Sequence, residues 1–325
     1  MQTQNASLVE IYHHYLSQGD PRVRGWLLMD SPMTTLFFMI AYLISIRAIN
    51  KYMENRKPFQ LKTFLVIYNF IQVLGSFYIF LELLIVSYKS NYSYVCQPVD
   101  YSDDPLAMRM LSVLWYYYFS KLIDFVDTIC FALRKKTNQI TFLHVFHHFT
   151  MFPYGWVGLK YVGGGQTFFL CMLNSFVHTV MYAYYGLSAL GPSVQKYLWW
   201  KRYITQIQLL QFFAVMTHSI VNYFADCPFP KGFSMSYLVY GMIITAFFIN
   251  FYVQSYIKRL TGHNVVKQNE NSKQLRNIEK AETTYQHLKP CFNRNQACFK
   301  QRVNLVSNCI KTWRKFLNDK NKTLF

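Results

Sequence analysis

Thr141-Phe142-Leu143-His144-Val145-Phe146-His147-His148-Phe149-Thr150-Met151-Phe152 is the stretch from which the fold can be read. Its three histidines stand at i, i+3 and i+4, so on a helix the imidazoles share one face. Nearly everything around them is apolar, which places that face inside hydrocarbon or packed protein. Polar rings in such a place are functional suspects by default.

Outward from this stretch the chain alternates long apolar runs with short polar breaks. A helix needs ~20 apolar residues to cross a bilayer. Seven stretches qualify, at about 32–49, 63–87, 106–132, 142–160, 167–188, 204–224 and 234–256, with Gly163-Gly164-Gly165 as the only break between the fourth and fifth. Of the 325 residues 52% are hydrophobic and 19% aromatic, more apolar surface than one compact soluble core of this size needs. The expected fold is therefore an all-α membrane protein with seven transmembrane helices over 32–260, preceded by an N-terminal segment over 1–31. Met1 to Asp30 is mixed polar and does not read as a cleaved signal. From 261 to 325 the composition turns to Lys, Asn, Gln and Glu, which reads as a solvated, disordered tail. Its last part spaces Phe299, Val303, Val306, Ile310 and Trp313 among lysines and is a candidate to lie on an anionic membrane surface.

The net charge of +18 would suggest a nucleic-acid partner on a soluble fold, but here the basic residues fall between apolar runs. That is the pattern of membrane topology, and it argues for no nucleic acid. With the N-terminus lumenal and the C-terminus cytosolic, cytosolic segments hold eleven Lys/Arg against six, before the fifteen of the tail are counted. Asn91-Tyr92-Ser93 and Asn5-Ala6-Ser7 then become lumenal glycosylation sequons, at Asn91 and Asn5, while Asn321-Lys322-Thr323 stays unmodified in the cytosol. Cys96 and Cys227 both fall in lumenal loops, where oxidation is permitted, and a disulfide would tie the loop after span two to the loop after span six. The seven cysteines otherwise form no zinc motif and no disulfide framework.

Several polar residues interrupt the spans. Lys121, Asp124, Asp127 and Thr128 in span three lie along one helical stripe. A charge at membrane depth costs ~2.5–3.5 kcal/mol even on a lenient scale, so these groups must pair inward. They form either a structural ion-pair ladder or a stripe facing the histidines and holding one in orientation. In span five Asn174, His178, Met181, Tyr182 and Tyr185 share one side. Thr205, Gln208 and Gln211 open span six and Asn250 lies late in span seven, positions where amides can simply bond neighbouring helices. Cys171, one turn before Asn174, is a thiol to weigh as a nucleophile, but it sits near the lumenal end while the imidazoles follow a cytosolic loop.

Three chemistries are open to such a constellation. Iron oxygenases of membranes carry HxxHH boxes, but two irons need about eight histidines in three boxes; this chain has nine histidines and one box. A seven-span receptor or transporter gives no reason for three histidines on one turn. Acyl transfer does: a neutral imidazole can attack a thioester and carry the acyl group, while neighbouring His, Asp and Asn fix its tautomer and stabilise the oxyanion.

Four motifs in order then bring a resemblance: Lys121-Leu-Ile-Asp124-Phe-Val-Asp127-Thr128, His144-Val-Phe-His147-His148, Asn174 with His178-Thr-Val-Met181-Tyr182-Ala-Tyr184-Tyr185, and Thr205-Gln-Ile-Gln208-Leu-Leu-Gln211. Over about residues 25–260 the sequence resembles the very-long-chain fatty acid elongases, membrane 3-oxoacyl-CoA synthases of animals and fungi. Gln139 looks like the polyunsaturated and very-long-chain branch, and the runs Leu187 to Arg202 and Asp226 to Pro230 resemble the animal member that builds the longest chains. The resemblance implies residence in the endoplasmic reticulum membrane and condensation of malonyl-CoA with an acyl-CoA. It implies a barrel of spans two to seven around an acyl tunnel, span one lying outside. By the same likeness His147 carries the acyl group with His178 as its partner, while His144, His148, Asp124 and Asp127 orient these rings. Asn174 and Gln208 would bind the thioester carbonyl or the malonyl carboxylate, with Lys121, Gln211, Tyr182 and Tyr185 also toward substrate. Lys135, Lys136, Lys196, Lys201 and Arg202 would meet the CoA phosphates. No metal or cofactor is expected. Partners by likeness are the reductases and dehydratase of the elongation cycle and a second copy in a homo-oligomer. The family usually has Glu where this chain has Asp124.

Overall fold

A computed structural model describes residues 7–257 and, farther on, 270, 272–276, 278–280 and 282–283. The chain divides into two compact units, Met1–Tyr256 and Ile257–Phe325. Among the described residues there is no strand. The helices of the first unit are α1 (Leu8–Ser17), α2 (Pro32–Met53), α3 (Lys62–Lys89), α4 (Pro105–Ile123), α5 (Phe125–Leu133), α6 (Phe142–Val162), α7 (Thr167–Ala189), the short α8 (Pro192–Gln195), α9 (Lys201–Phe224) and α10 (Lys231–Tyr252). The described residues of the second unit beyond Ile257 are helical. Asn5 and the basic tail's apolar run from 292 onward lie outside the described residues.

Local chemistry sets the helix starts. Ser31 and Asp104 cap α2 and α4 by accepting from Met33 and Leu106 N–H, each followed by proline at the first helical position, where its missing N–H costs nothing. Thr141 caps α6, its hydroxyl accepting from His144 N–H at 3.2 Å. Between α6 and α7 the backbone must turn where side chains have no room. A Cβ on Gly163 would strike a Leu111 methyl, and Gly165, at φ 50°, would put one 2.9 Å from the Gln97 carbonyl.

Helices occupy all seven expected places, and four of them, Pro32–Met53, Lys62–Lys89, Lys201–Phe224 and Lys231–Ile257, are long and apolar enough to cross a membrane by length and composition. The stretch 106–132, expected as one helix, is two: the chain tightens at Asp124, and Asp127 N–H reaches the Asp124 carbonyl at 3.2 Å. The break falls where the Asp124 carboxylate is held by three donors from three helices.

Neighbour contacts close a ring in the order α3, α4, α6, α10, α9, α7 and back to α3, while α2 packs outside it against α5 and α6. Helices that follow one another in the chain are therefore not always neighbours in the ring. Cys96 and Cys227 are joined by a disulfide that links the loop after α3 to the loop after α9.

The N-terminal segment is more ordered than its composition suggests. A capping box, Ser7 with Glu10, starts α1, and farther on Asp20 N–H donates to the Lys160 carbonyl of α6 at 2.7 Å. Trp115 and Trp156 donate their indole N–H to the Leu27 and Leu28 carbonyls, and Arg22 pairs with Asp20 at 2.7 Å while also donating to Ser102 O. In the same outer loop, the Ser102 hydroxyl and backbone N–H hold the Asp100 carboxyl below its usual range.

Candidate active site

The histidine face of α6 turns inward. His147 lines a cavity together with Tyr117 of α4, Met151 and Tyr154 of α6, Leu170 and Asn174 of α7, Gln211, Phe212 and Val215 of α9, and Tyr237, Tyr240, Gly241 and Ile244 of α10. The lining is mostly apolar with few polar groups. From His147 through Met151 to Tyr154 the α6 wall extends for about 10 Å of helix rise.

The other two imidazoles sit behind His147. His148 lies tilted against His144 with centroids 4.3 Å apart and edge-on to His147 with centroids 5.6 Å apart. His144 is held through Nε2, 2.8 Å from the Thr128 hydroxyl, and Thr128 is in turn 2.9 Å from the Tyr42 hydroxyl of the outer helix α2. So the residue of the span-three stripe that orients a histidine is its threonine.

Asp124, 3% exposed, accepts from Gln72 Nε2 at 2.8 Å, from the Tyr182 hydroxyl at 2.8 Å and from Lys121 Nζ at 3.2 Å. His178 Nδ1 lies 4.0 Å from its second oxygen, an ion-pair distance too long for a hydrogen bond. Asp127 receives the same Tyr182 hydroxyl at 2.8 Å. Lys121 also lies 3.4 Å from Asn174 Oδ1 and 4.8 Å above the Tyr117 ring. A buried ammonium and two buried carboxylates are thus tied by tyrosine, glutamine and asparagine, as the cost of unpaired charge in a low dielectric demands.

Of the other residues singled out in the sequence, Gln211 reaches the cavity, whereas Gln208 makes a 3.7 Å contact from its amide to Met181 sulfur. Tyr182 was expected toward substrate, but its hydroxyl is spent on Asp124 and Asp127; Tyr185, 37% exposed, packs edge-on against Tyr182 and Tyr184. Lys135, Lys136, Lys201 and Arg202 are exposed in the loops after α5 and before or at the start of α9, with Lys196 between α8 and α9. Lys135 Nζ donates to Glu54 O at 3.0 Å and Arg202 to the Tyr203 hydroxyl at 2.9 Å. Cys171 is buried as a free thiol. Asn91 is exposed just after α3.

Sequence reasoning missed Gln72 and Tyr117. Gln72 carries a readable signal, an amide inside a long apolar helix one turn from Asn69. Tyr117 lies in Trp115-Tyr116-Tyr117-Tyr118, where nothing local tells which ring faces the centre.

Residues 27–264 match the family described as ELO: GNS1/SUR4 family. The chain is similar to very long chain fatty acid elongase 4 of Homo sapiens, 48% identical over 248 residues that cover 76% of this chain and 79% of that protein. To the Mus musculus protein of the same name it is 43% identical over 296 residues, covering 89% and 93%. It is 48% identical to Mus musculus very long chain fatty acid elongase 2 over 240 residues, covering 74% and 82%.

Proposed function

The chain belongs to the ELO, GNS1/SUR4, family, whose relatives matched here are named very long chain fatty acid elongases, and on that premise we propose that it is the condensing enzyme of fatty acid elongation. It joins malonyl-CoA to a long-chain or very-long-chain acyl-CoA. The observation that carries this reading is His147 on the wall of a mostly apolar cavity, accompanied there by Asn174 and Gln211. In the proposed reaction an imidazole nitrogen of His147 attacks the acyl thioester carbonyl and the C–S bond breaks, releasing CoA as its thiol. Malonyl-CoA then loses CO2, and the electron pair left on its carbon attacks the acyl-imidazole. The C–N bond breaks, the departing imidazole nitrogen takes up one proton from solvent in place of the one given to the CoA thiolate, His147 is regenerated, and a 3-oxoacyl-CoA two carbons longer leaves.

In this reading His178 serves as the partner of His147, and His144 and His148 keep the ring in place. Asn174 supplies a donor to the developing oxyanion, and the apolar cavity houses the acyl chain. Seven spans set in the endoplasmic reticulum membrane, with a lumenal N-terminus and a cytosolic C-terminus, put the disulfide end in the lumen and Lys135, Lys136, Lys196, Lys201 and Arg202 where CoA phosphates arrive. The reaction as written needs no metal or further cofactor.

The test is condensation by the purified protein in detergent, given radiolabelled malonyl-CoA and a series of saturated and polyunsaturated acyl-CoAs. Wild type should form 3-oxoacyl-CoA and His147→Ala none, and mass spectrometry of protein given acyl-CoA alone should find the acyl adduct on His147. No condensation by the wild type, with stoichiometric iron bound instead, overturns the proposal in favour of an oxygenase.

A further inference from the structure

The hydroxyl of Tyr117 donates to Asn174 Oδ1 at 3.0 Å, and Lys121 Nζ lies 3.4 Å from the same oxygen. An ammonium has only donors, so the atom facing it must be the amide oxygen, and the orientation of the Asn174 amide is fixed by chemistry. Its Nδ2 makes no hydrogen bond among the described residues, although Asn174 is 8% exposed and lines the same cavity as His147. Tyr117 touches both partners of this arrangement: its ring lies under the Lys121 ammonium and its hydroxyl holds Asn174. One helical turn separates Tyr117 from Lys121 on α4, and Asn174 comes from α7, so the lock joins two helices.

We propose that Tyr117 is a positioning residue that turns the Asn174 amide so that both its N–H groups face the His147 cavity as donors. A phenol donating to the amide oxygen also polarises the amide and strengthens its N–H groups as donors. The inference rests on the proposed condensation reaction, in which a donor to the oxyanion acts in the transition state. Removing the phenol hydroxyl should therefore lower kcat and leave KM for acyl-CoA nearly unchanged.

The experiment is a double-mutant cycle in the condensation assay with Tyr117→Phe, Asn174→Ala and the pair, unfolding temperatures being measured alongside. Tyr117→Phe keeps the ring beneath Lys121 and should cost about 10-fold in kcat, less than the ~10²–10³-fold typical of losing an oxyanion donor outright. In the Asn174→Ala background the same substitution should cost nothing further, because the group it positions is gone. Asn174→Asp keeps an acceptor for Tyr117 and Lys121 but has no amide N–H, and should be as inactive as Asn174→Ala. A Tyr117→Phe protein with wild-type kcat, or one whose loss multiplies with that of Asn174→Ala, overturns the role of Tyr117 while leaving the condensation reading intact. Full activity in Asn174→Ala and Asn174→Asp overturns the roles of Asn174 and Tyr117 while condensation stands, and a wild type that forms no 3-oxoacyl-CoA overturns the condensation reading and this inference with it. Tyr117→His and Tyr117→Leu repeat the comparison with and without a side-chain donor, the first expected to be the more active, so that a phenylalanine variant too unstable to assay does not end the test.

Discussion

Replacing Tyr182 by Phe removes one oxygen atom from the centre of the charged cluster, and its cost can be worked from the contacts. The side chain is 1% exposed, and its hydroxyl is 2.8 Å from Asp124 Oδ1 and 2.8 Å from Asp127 Oδ2. A hydrogen bond to a charged group contributes about 1.5–3 kcal/mol. One O–H serves both carboxylates, so the two bonds do not count in full. Asp124 keeps Gln72 and Lys121, but Asp127 is left with one donor fewer beside a second carboxylate. The expected loss is about 3 kcal/mol. At about 2–4 °C per kcal/mol for a chain somewhat smaller than this one, unfolding should fall by about 6–12 °C. The assay is the loss of monodisperse protein on size exclusion after heating in detergent, with Tyr185→Phe as the control. Tyr185 is three residues on, 37% exposed, and its hydroxyl makes no hydrogen bond among the described residues, so its change should stay within about 0.5 kcal/mol. A Tyr182→Phe protein within 2 °C or so of wild type, on the same scale, would show that the hydroxyl does not hold the carboxylates.

Thr128→Val keeps the shape of a fully buried side chain but strips the hydroxyl from His144 Nε2 and Tyr42; kcat should fall about 10-fold or more through loss of ring placement, and an unchanged kcat would mean that His144 needs no anchor. At Gly241 a Cβ would lie 2.9 Å from Met216 Cγ, close to the root of that side chain, so Gly241→Ala should force a shift there and lower the unfolding temperature; an unchanged unfolding temperature would show that the contact yields freely. The Cys96–Cys227 bridge closes a loop with a sequence separation of 131, and Cys96→Ser with Cys227→Ser should destabilise by about 2–5 kcal/mol, read as a lower unfolding temperature that reducing agent reproduces in wild type but not in the variant.

The sequence by itself determined what depends on spacing along the chain. Helix follows from apolar runs and from caps such as Ser31-Pro32 and Asp104-Pro105, and the i, i+3, i+4 spacing of His144, His147 and His148 puts three rings on one face whatever surrounds them. The bond network of the site is different in kind. Gln72 meets Asp124, Tyr182 meets Asp124 and Asp127, and Tyr117 meets Asn174 across separations of 52, 58, 55 and 57 residues. Whether Asp124 or Thr128 would reach a histidine depended on how α3, α4, α6 and α7 rotate against one another, and that rotation is set by packing of whole helix faces. The break at Asp124 belongs to the same class. Nothing in Leu122-Ile123-Asp124-Phe125 ends a helix locally, and the backbone tightens where donors from α3, α4 and α7 converge on one carboxylate, because a buried charge must be met by every partner the fold can bring to it.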